Sequence, residues 1–267
     1  MSPASGTAPE KIRVRGVRKL FQQKQGGRVT EAIRDLSFSV AEGEYLAIVG
    51  ETGAGKSVFF DCLLGLKDVS AGEILIDGTP AERFRRNRVG KMTRIFQEDR
   101  LLPWRTATDN AAMGLEIQGV ATARRVETAQ RWLHAVGLAG FEQAFPNELS
   151  GGMRQRVNIA RAFATGPDIL LMDEAFSGLD EVTSMRLRQD FLALAHQQRM
   201  TFLMITHSID EALVLGSRIL VFGAPAQVVH EVRVPPGAAH DQAWVDATKA
   251  DIKRWISEHG RMMRNAD

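Results

Sequence analysis

The hydrophobic positions of this chain change period several times. Lys11 to Val17 alternates, with Ile12, Val14 and Val17 apolar, as an antiparallel strand does, and Phe21 closes the run. After a polar stretch through Gly26 and Gly27, Ile33 to Val40 reads as a second strand. Tyr45 to Val49 is continuously apolar, and Val58 to Leu66 has helical spacing. Gly72 to Ile76 predicts a strand ending in an Asp77-Gly78 turn, Pro80 to Arg88 a helix, and Met92 to Phe96 a short buried strand. From Ala107 to about Phe145 the spacing is helical, with no convincing strand. Asn147 to Ser150 predicts a loop and Met153 to Phe163 a helix. Strands are then expected at Ile169 to Met172, Thr201 to Thr206, Ile219 to Phe222 and Val228 to Val232. Helices are expected at Glu181 to Gln198 and Ile209 to Leu215. The tail from Ala239 to His259 carries Trp244, Val245, Ile252, Trp255 and Ile256 at helical spacing, a stripe expected to dock on the domain's own surface. This order predicts an α/β protein. A β-rich N-terminal subdomain precedes an α/β core, and an α-helical subdomain is inserted at about 98–160. The domain spans 11–234 and a helical tail fills 235–267.

Composition narrows the class. A chain of 267 residues that is 44% hydrophobic has room for a full core. A net charge of +2 gives no overall signal for nucleic acid, and no nucleic-acid partner is expected. With Cys62 as its single cysteine the chain forms no internal disulfide, which fits a reducing compartment. No apolar run approaches the length of a membrane span, and Met1 to Glu10 has no apolar stretch of the signal-peptide kind. Arg83, Arg85, Arg86, Arg88 and Lys91 form a basic run that reads as a solvated face. His134, His196, His230, His240 and His259 have no metal-ligand spacing.

Two segments carry chemistry. Gly50-Glu51-Thr52-Gly53-Ala54-Gly55-Lys56-Ser57 matches G-x-x-x-x-G-K-[ST], between an apolar strand and a helix. Glycines there let successive N–H groups turn inward on phosphate oxygens, and the helix N-terminus faces the same anion. Lys56 is expected on the β- and γ-phosphates, with the Ser57 hydroxyl in a Mg²⁺ shell. In Ile169-Leu170-Leu171-Met172-Asp173-Glu174 an apolar run ends in two carboxylates, the mark of a buried parallel strand that stops at a polar site. Asp173 can reach the Mg²⁺ shell, and Glu174 can polarise an attacking water.

A third segment lies between them. In Leu149-Ser150-Gly151-Gly152-Met153-Arg154-Gln155-Arg156, a Ser N-cap and two glycines open a helix, a second anion-facing N-terminus. Here the chain resembles the ATPase subunits of ABC transporters, whose signature is Leu-Ser-Gly-Gly-(x)-Gln. The resemblance runs from about Ile12 to Val232. Gln97 in Ile95-Phe96-Gln97-Glu98 matches the Q-loop, Asp180 in Ser177-Gly178-Leu179-Asp180 the D-loop, and His207 the switch histidine. Phe21 matches the aromatic that stacks on adenine.

The resemblance implies a P-loop NTPase fold in which two copies of the chain sandwich two ATP molecules head to tail. It places Ser150, Gly151 and Gly152 on the γ-phosphate held by the partner copy. It gives Gln97 a contact to Mg²⁺ and to the attacking water, and has His207 bind the γ-phosphate and position Glu174. Two departures stand out: Ala175 replaces the family's usual Pro, and Val58 replaces its usual Thr or Ser. Val58 removes a hydroxyl from the α-phosphate region. The segment Gln97 to Trp104, with Leu101-Leu102-Pro103-Trp104, is similar to the nitrate, sulfonate and taurine importers. That similarity implies an integral membrane permease, indirectly a periplasmic or extracellular substrate-binding protein, and a place on the cytoplasmic face of the membrane. Leu101, Leu102 and Trp104 form an apolar patch expected to serve partly as interface, with Trp104 partly core. The alternatives are ABC ATPases of lipid export or cell division, and permease-free ones working in DNA repair or on ribosomes. Against the last class, coiled-coil insertions, a second cassette and zinc motifs are missing from the sequence.

Overall fold

The computed structural model describes residues 9–22, 29–176 and 180–264. Gly26, Gly27 and the Ser177-Gly178-Leu179 part of the expected D-loop lie outside the described residues. In chain order the elements are β1 (Glu10–Gln22), β2 (Val29–Ala41), β3 (Tyr45–Gly50), α1 (Lys56–Leu63), β4 (Ala71–Ile76), β5 (Thr79–Pro80) and α2 (Ala81–Asn87). Next come β6 (Met92–Ile95), α3 (Ala107–Ile117), α4 (Thr122–Ala135), a 3-10 turn (Pro146–Glu148) and α5 (Gly151–Ala164). The chain continues with β7 (Ile169–Asp173), α6 (Glu181–Gln198), β8 (Thr201–Ile205) and α7 (Ile209–Leu215). It ends with β9 (Arg218–Gly223), β10 (Gln227–Arg233), a 3-10 turn (Ala238–His240) and α8 (Gln242–Arg264). Two compact units result: one is the chain up to Arg86 together with Ile205 onward, the other is Asn87–Met204.

In the first unit, β2, β1, β4 and β5 form a sheet in that order, with β1 antiparallel to both β2 and β4. β1 ends at Gln22, just past the Phe21 that closes the expected run, and β2 begins at Val29, before the expected Ile33; irregularities between Val14 and Val17 and between Val17 and Leu20 shift the register of the pair and break its alternation. β3 pairs parallel to β9, and β10 pairs antiparallel to β9. All six residues of β3 are buried, as a continuously apolar strand requires. Phe59 from α1 meets Phe38 and Phe222 at ring-centroid distances of 5.5 and 6.1 Å, edge-on. α1 stops at Leu63 rather than Leu66: the N–H groups of Gly65 and Leu66 turn back to the carbonyls of Cys62 and Asp61 (2.9 and 2.8 Å), with Gly65 at φ 62°. Gly65 thereby ends the helix in the left-handed conformation and leaves Leu66 exposed. α8 lies on β9, β10 and α7, with Val245 and Ile252 buried and the Trp255 ring stacked on His230 at 4.9 Å. The tail stripe therefore does pack on the chain's own surface.

In the second unit, β8, β7 and β6 lie side by side, with β6 parallel to β7. Helices α3, α4 and α5 pack on one another. Phe191 of α6 joins Phe163, Phe176 and Phe202 at 5.1–5.9 Å, a single aromatic cluster. Thr106 caps α3 by accepting the Asp109 N–H at 3.1 Å.

Candidate nucleotide site

In the first unit, the stretch from Gly50 to Ser57 is the turn between β3 and α1. Gly53 and Gly55 have φ 84° and 87°, a region that residues with a Cβ rarely enter. A Cβ on Gly55 would stand 2.2 Å from the Ala32 carbonyl oxygen, because the β2 edge presses on the turn. A Cβ on Gly53 would meet nothing within 4 Å. The two glycines thus serve different needs, one packing and one backbone direction. Lys56 is buried at 7% exposure, and its Nζ donates to the carbonyls of Gly50 and Glu51, both at 2.8 Å. The ammonium is held over the loop's own carbonyls, inside the curve it would share with a phosphate. Ser57 is exposed at the helix start, and Val58 is half-buried beside it. Among the other expected site residues of this unit, Phe21 sits near the end of β1 with the Lys19 ammonium 5.1 Å from its ring centroid.

His207 is exposed just beyond β8, and its neighbours fix its backbone. Thr206 donates its N–H to the Ile48 carbonyl (3.2 Å), and its hydroxyl donates to the buried Glu211 carboxylate. That hydroxyl also accepts the Ser208 N–H at 3.0 Å, and Ser208 caps α7 by accepting the Glu211 N–H at 3.2 Å. This clamp around His207 was not read from the sequence, although the Ser cap and the acidic first turn of α7 signal it.

The second unit holds the remaining residues. β7 carries its apolar side chains into the core and ends at Asp173. In the parallel register Arg94 faces Leu171 and Ile95 faces Met172. Arg94 and Asp173 therefore share a face of the sheet, and the Arg94 guanidinium donates to the Asp173 carboxylate. Glu174 follows with φ 49°. Gln97 is exposed two residues beyond β6. Ser150 caps α5 by accepting the Met153 N–H at 3.3 Å, so Gly151 and Gly152 form the first turn of that helix. Gly152 lies against Thr183, 3.0 Å from a Cβ position to the Thr183 methyl. Asp180 caps α6 by accepting the Thr183 N–H at 2.9 Å. The Thr183 hydroxyl and N–H together hold the Asp180 carboxyl below its usual pKa. Thr183 thus touches both the Gly152 turn and Asp180.

The segment after Gln97 is fixed from two sides. Arg154 donates to the Asp99 carboxylate (2.9 Å), and Arg161 donates to the carbonyls of Asp99 and Arg100 (2.7 and 3.0 Å). Asn110, fully buried in α3, accepts the Leu102 N–H (2.8 Å) and donates to the carbonyls of Leu102, Arg105 and Thr106 at 3.0–3.1 Å. Leu101 and Leu102 are half-buried. Trp104 is 71% exposed, so the expectation of a partly core tryptophan is corrected. Asn110 holds the backbone of this loop, and the indole stands in solvent.

In the first unit the Ser57 hydroxyl, and in the second the Asp173 carboxylate and the Gln97 amide, are hard oxygen donors of the kind that suit Mg²⁺. The glycine turn of Gly50 to Ser57, between a buried parallel strand and a helix, defines a P-loop protein of the α/β class. The ABC transporter family matches residues 33–177. The chain is 42% identical to the taurine import ATP-binding protein TauB of Rhizobium johnstonii, over 79% of each chain. It is 36% identical to the aliphatic sulfonates import ATP-binding protein SsuB of Bacillus cereus, over 83% of this chain and 84% of that one. A dimeric post-hydrolysis ATP-binding cassette bound to ADP and Pi superposes with a TM-score of 0.74 at 28% identity, covering 84% of this chain and 98% of that one. The chain belongs to the ABC transporter family, as an ATP-binding subunit with the P-loop ATPase fold.

Proposed function

We propose that this chain is the ATPase subunit of an importer for a small anion such as nitrate, taurine or another sulfonate. It acts on the cytoplasmic face of the membrane as a head-to-tail pair of copies joined to a permease, which a substrate-binding protein supplies. The observation that carries the reading is the P-loop turn with Lys56 buried over its carbonyls, in a chain most of whose length resembles the taurine and sulfonate importers. ATP and Mg²⁺ supply the transferable γ-phosphoryl group and its charge neutralisation. The chain's own residues do the rest. The N–H groups of Gly53 to Ser57 and the Lys56 ammonium hold the phosphates, and Phe21 stacks on the base. Ser57, Asp173 and Gln97 supply metal donors. Glu174 takes the proton from water, and His207 orients it. Ser150, Gly151 and Gly152 at the α5 N-terminus present N–H groups to the phosphate held by the partner copy. Asp180 steadies α6 beside that turn.

Composite sites make a specific demand. Gly151 is the better carrier of a lesion than Gly152, since the nearest atom to its Cβ position is an Arg154 nitrogen at 3.9 Å. Lys56→Ala and Gly151→Asp homodimers each have two defective sites. A mixed dimer collects both lesions in one site and leaves the other intact. An equal mixture is expected to recover about a quarter of the wild-type ATPase rate if the sites act independently. No recovery from well-folded, exchanging subunits would contradict the head-to-tail arrangement.

A further inference from the structure

Glu174 leaves β7 in the left-handed conformation, φ 49°. A side chain with a Cβ disfavours that region, and it persists where surrounding contacts impose it. One such contact acts on the next residue. Gln155, 4% exposed in the second turn of α5, donates its side-chain N–H to the Ala175 carbonyl at 2.6 Å. Ala175 is itself 2% exposed, so water does not compete for this oxygen. The other end of the Gln155 amide is also held. Its oxygen accepts from Asn158 Nδ2 at 3.4 Å, and the same nitrogen reaches the Phe96 carbonyl at 3.5 Å. These two contacts are long, but Asn158 is 1% exposed and its oxygen is fixed by Arg161 at 2.7 Å. Arg161 in turn holds the carbonyls of Asp99 and Arg100. Two buried amides, three residues apart on one face of α5, thereby join the turn that carries Glu174 to the backbone on both sides of Gln97.

We propose that Gln155 is a positioning residue for Glu174. It fixes the Ala175 peptide, and so the direction in which the carboxylate leaves β7. Through Asn158 it ties that direction to the 96–100 segment. This rests on the reading of Glu174 as the proton acceptor. Gln155 itself touches no substrate. Because the amide donates to a carbonyl, a side chain of similar length without a donor removes the constraint while keeping the volume.

The test uses the full chain with Gln155→Met and Gln155→Leu, neither of which carries a hydrogen-bond donor. ATP affinity, the turnover rate and the thermal midpoint are measured for each, alone and combined with Glu174→Gln. The expected result is a kcat lower by about 10- to 100-fold. ATP affinity should stay within about twofold, since binding of the ground state is untouched. In the Glu174→Gln background, Gln155→Met should cause no further loss in single-turnover rate, because the group being positioned is already gone. A kcat close to wild type in both variants overturns the proposal. So does an equal fold-loss in both backgrounds, which marks a general structural effect. Failure of both variants to fold also overturns it, making Gln155 a folding determinant. Parent-like turnover in Glu174→Gln alone refutes the reading of Glu174 instead.

Discussion

Arg94 and Asp173 pair across neighbouring parallel strands, with side chains only 9% and 16% exposed. The carboxylate expected to serve a metal ion therefore already has a cationic partner. Arg94 also lies 4.8 Å from the centroid of the Phe96 ring, one residue before Gln97. A guanidinium in this place balances a charge that burial would otherwise penalise.

Arg94→Met tests what that balance does. Breaking a buried ion pair costs about 3–5 kcal/mol, and the residual exposure of Asp173 puts this pair at the lower end. The thermal midpoint of the nucleotide-free protein should fall accordingly. Mg²⁺ with ATP should raise the midpoint of the variant more than that of the wild type, because the ion takes over as counter-charge. Equal midpoint gains in the two proteins would contradict the link between Arg94 and a metal-binding role for Asp173.

The two P-loop glycines should respond differently to alanine. Gly53→Ala adds a methyl in open space and bears only the left-handed penalty, about 1–2 kcal/mol. Gly55→Ala adds the same penalty and a Cβ 2.2 Å from a backbone oxygen that belongs to β2. Thermal melts should show a modest loss for the first and a severe one, or no folded protein, for the second. Comparable melting of both variants would mean that the β2 edge does not press on the turn.

The contrast shows what the sequence makes legible. Spacing and residue type suffice for the P-loop, because a buried strand, a glycine turn and a helix start are consecutive in the chain. The same holds for the ends of α6 and α7, where Asp180 and Ser208 cap locally. The pressure of Ala32 on Gly55 joins residues far apart in sequence, and no local pattern reports it. The Arg94–Asp173 pair needs the register of β6 against β7, which periodicity does not supply. Gln155 and Asn158 lie in the helix expected from Met153 to Phe163, but their partners are backbone carbonyls, which no residue pattern reports. For a related reason the register shifts of β1 hide its alternation beyond Val17.

The exposure of Trp104 makes it a direct probe of the proposed permease contact. Trp104→Ala removes a side chain that is 71% in solvent, so stability should change by no more than about 0.5 kcal/mol. ATP binding should be unaffected. Co-purification with the permease and substrate uptake in vesicles should both drop sharply if this loop is the docking surface. Normal assembly and uptake would place the docking surface elsewhere. Asn110→Ala offers a control: it leaves Trp104 in place but frees the loop, and assembly should weaken with it.

The role of Glu174 in hydrolysis is tested most directly by the ATP turnover of Glu174→Gln. The amide keeps the shape of the side chain but cannot accept a proton from water. The variant is expected to bind ATP with Mg²⁺ at wild-type affinity, to lose nearly all turnover, and to accumulate as an ATP-bound dimer visible by light scattering. Turnover at the wild-type rate, from a protein with its fold intact, would contradict that role.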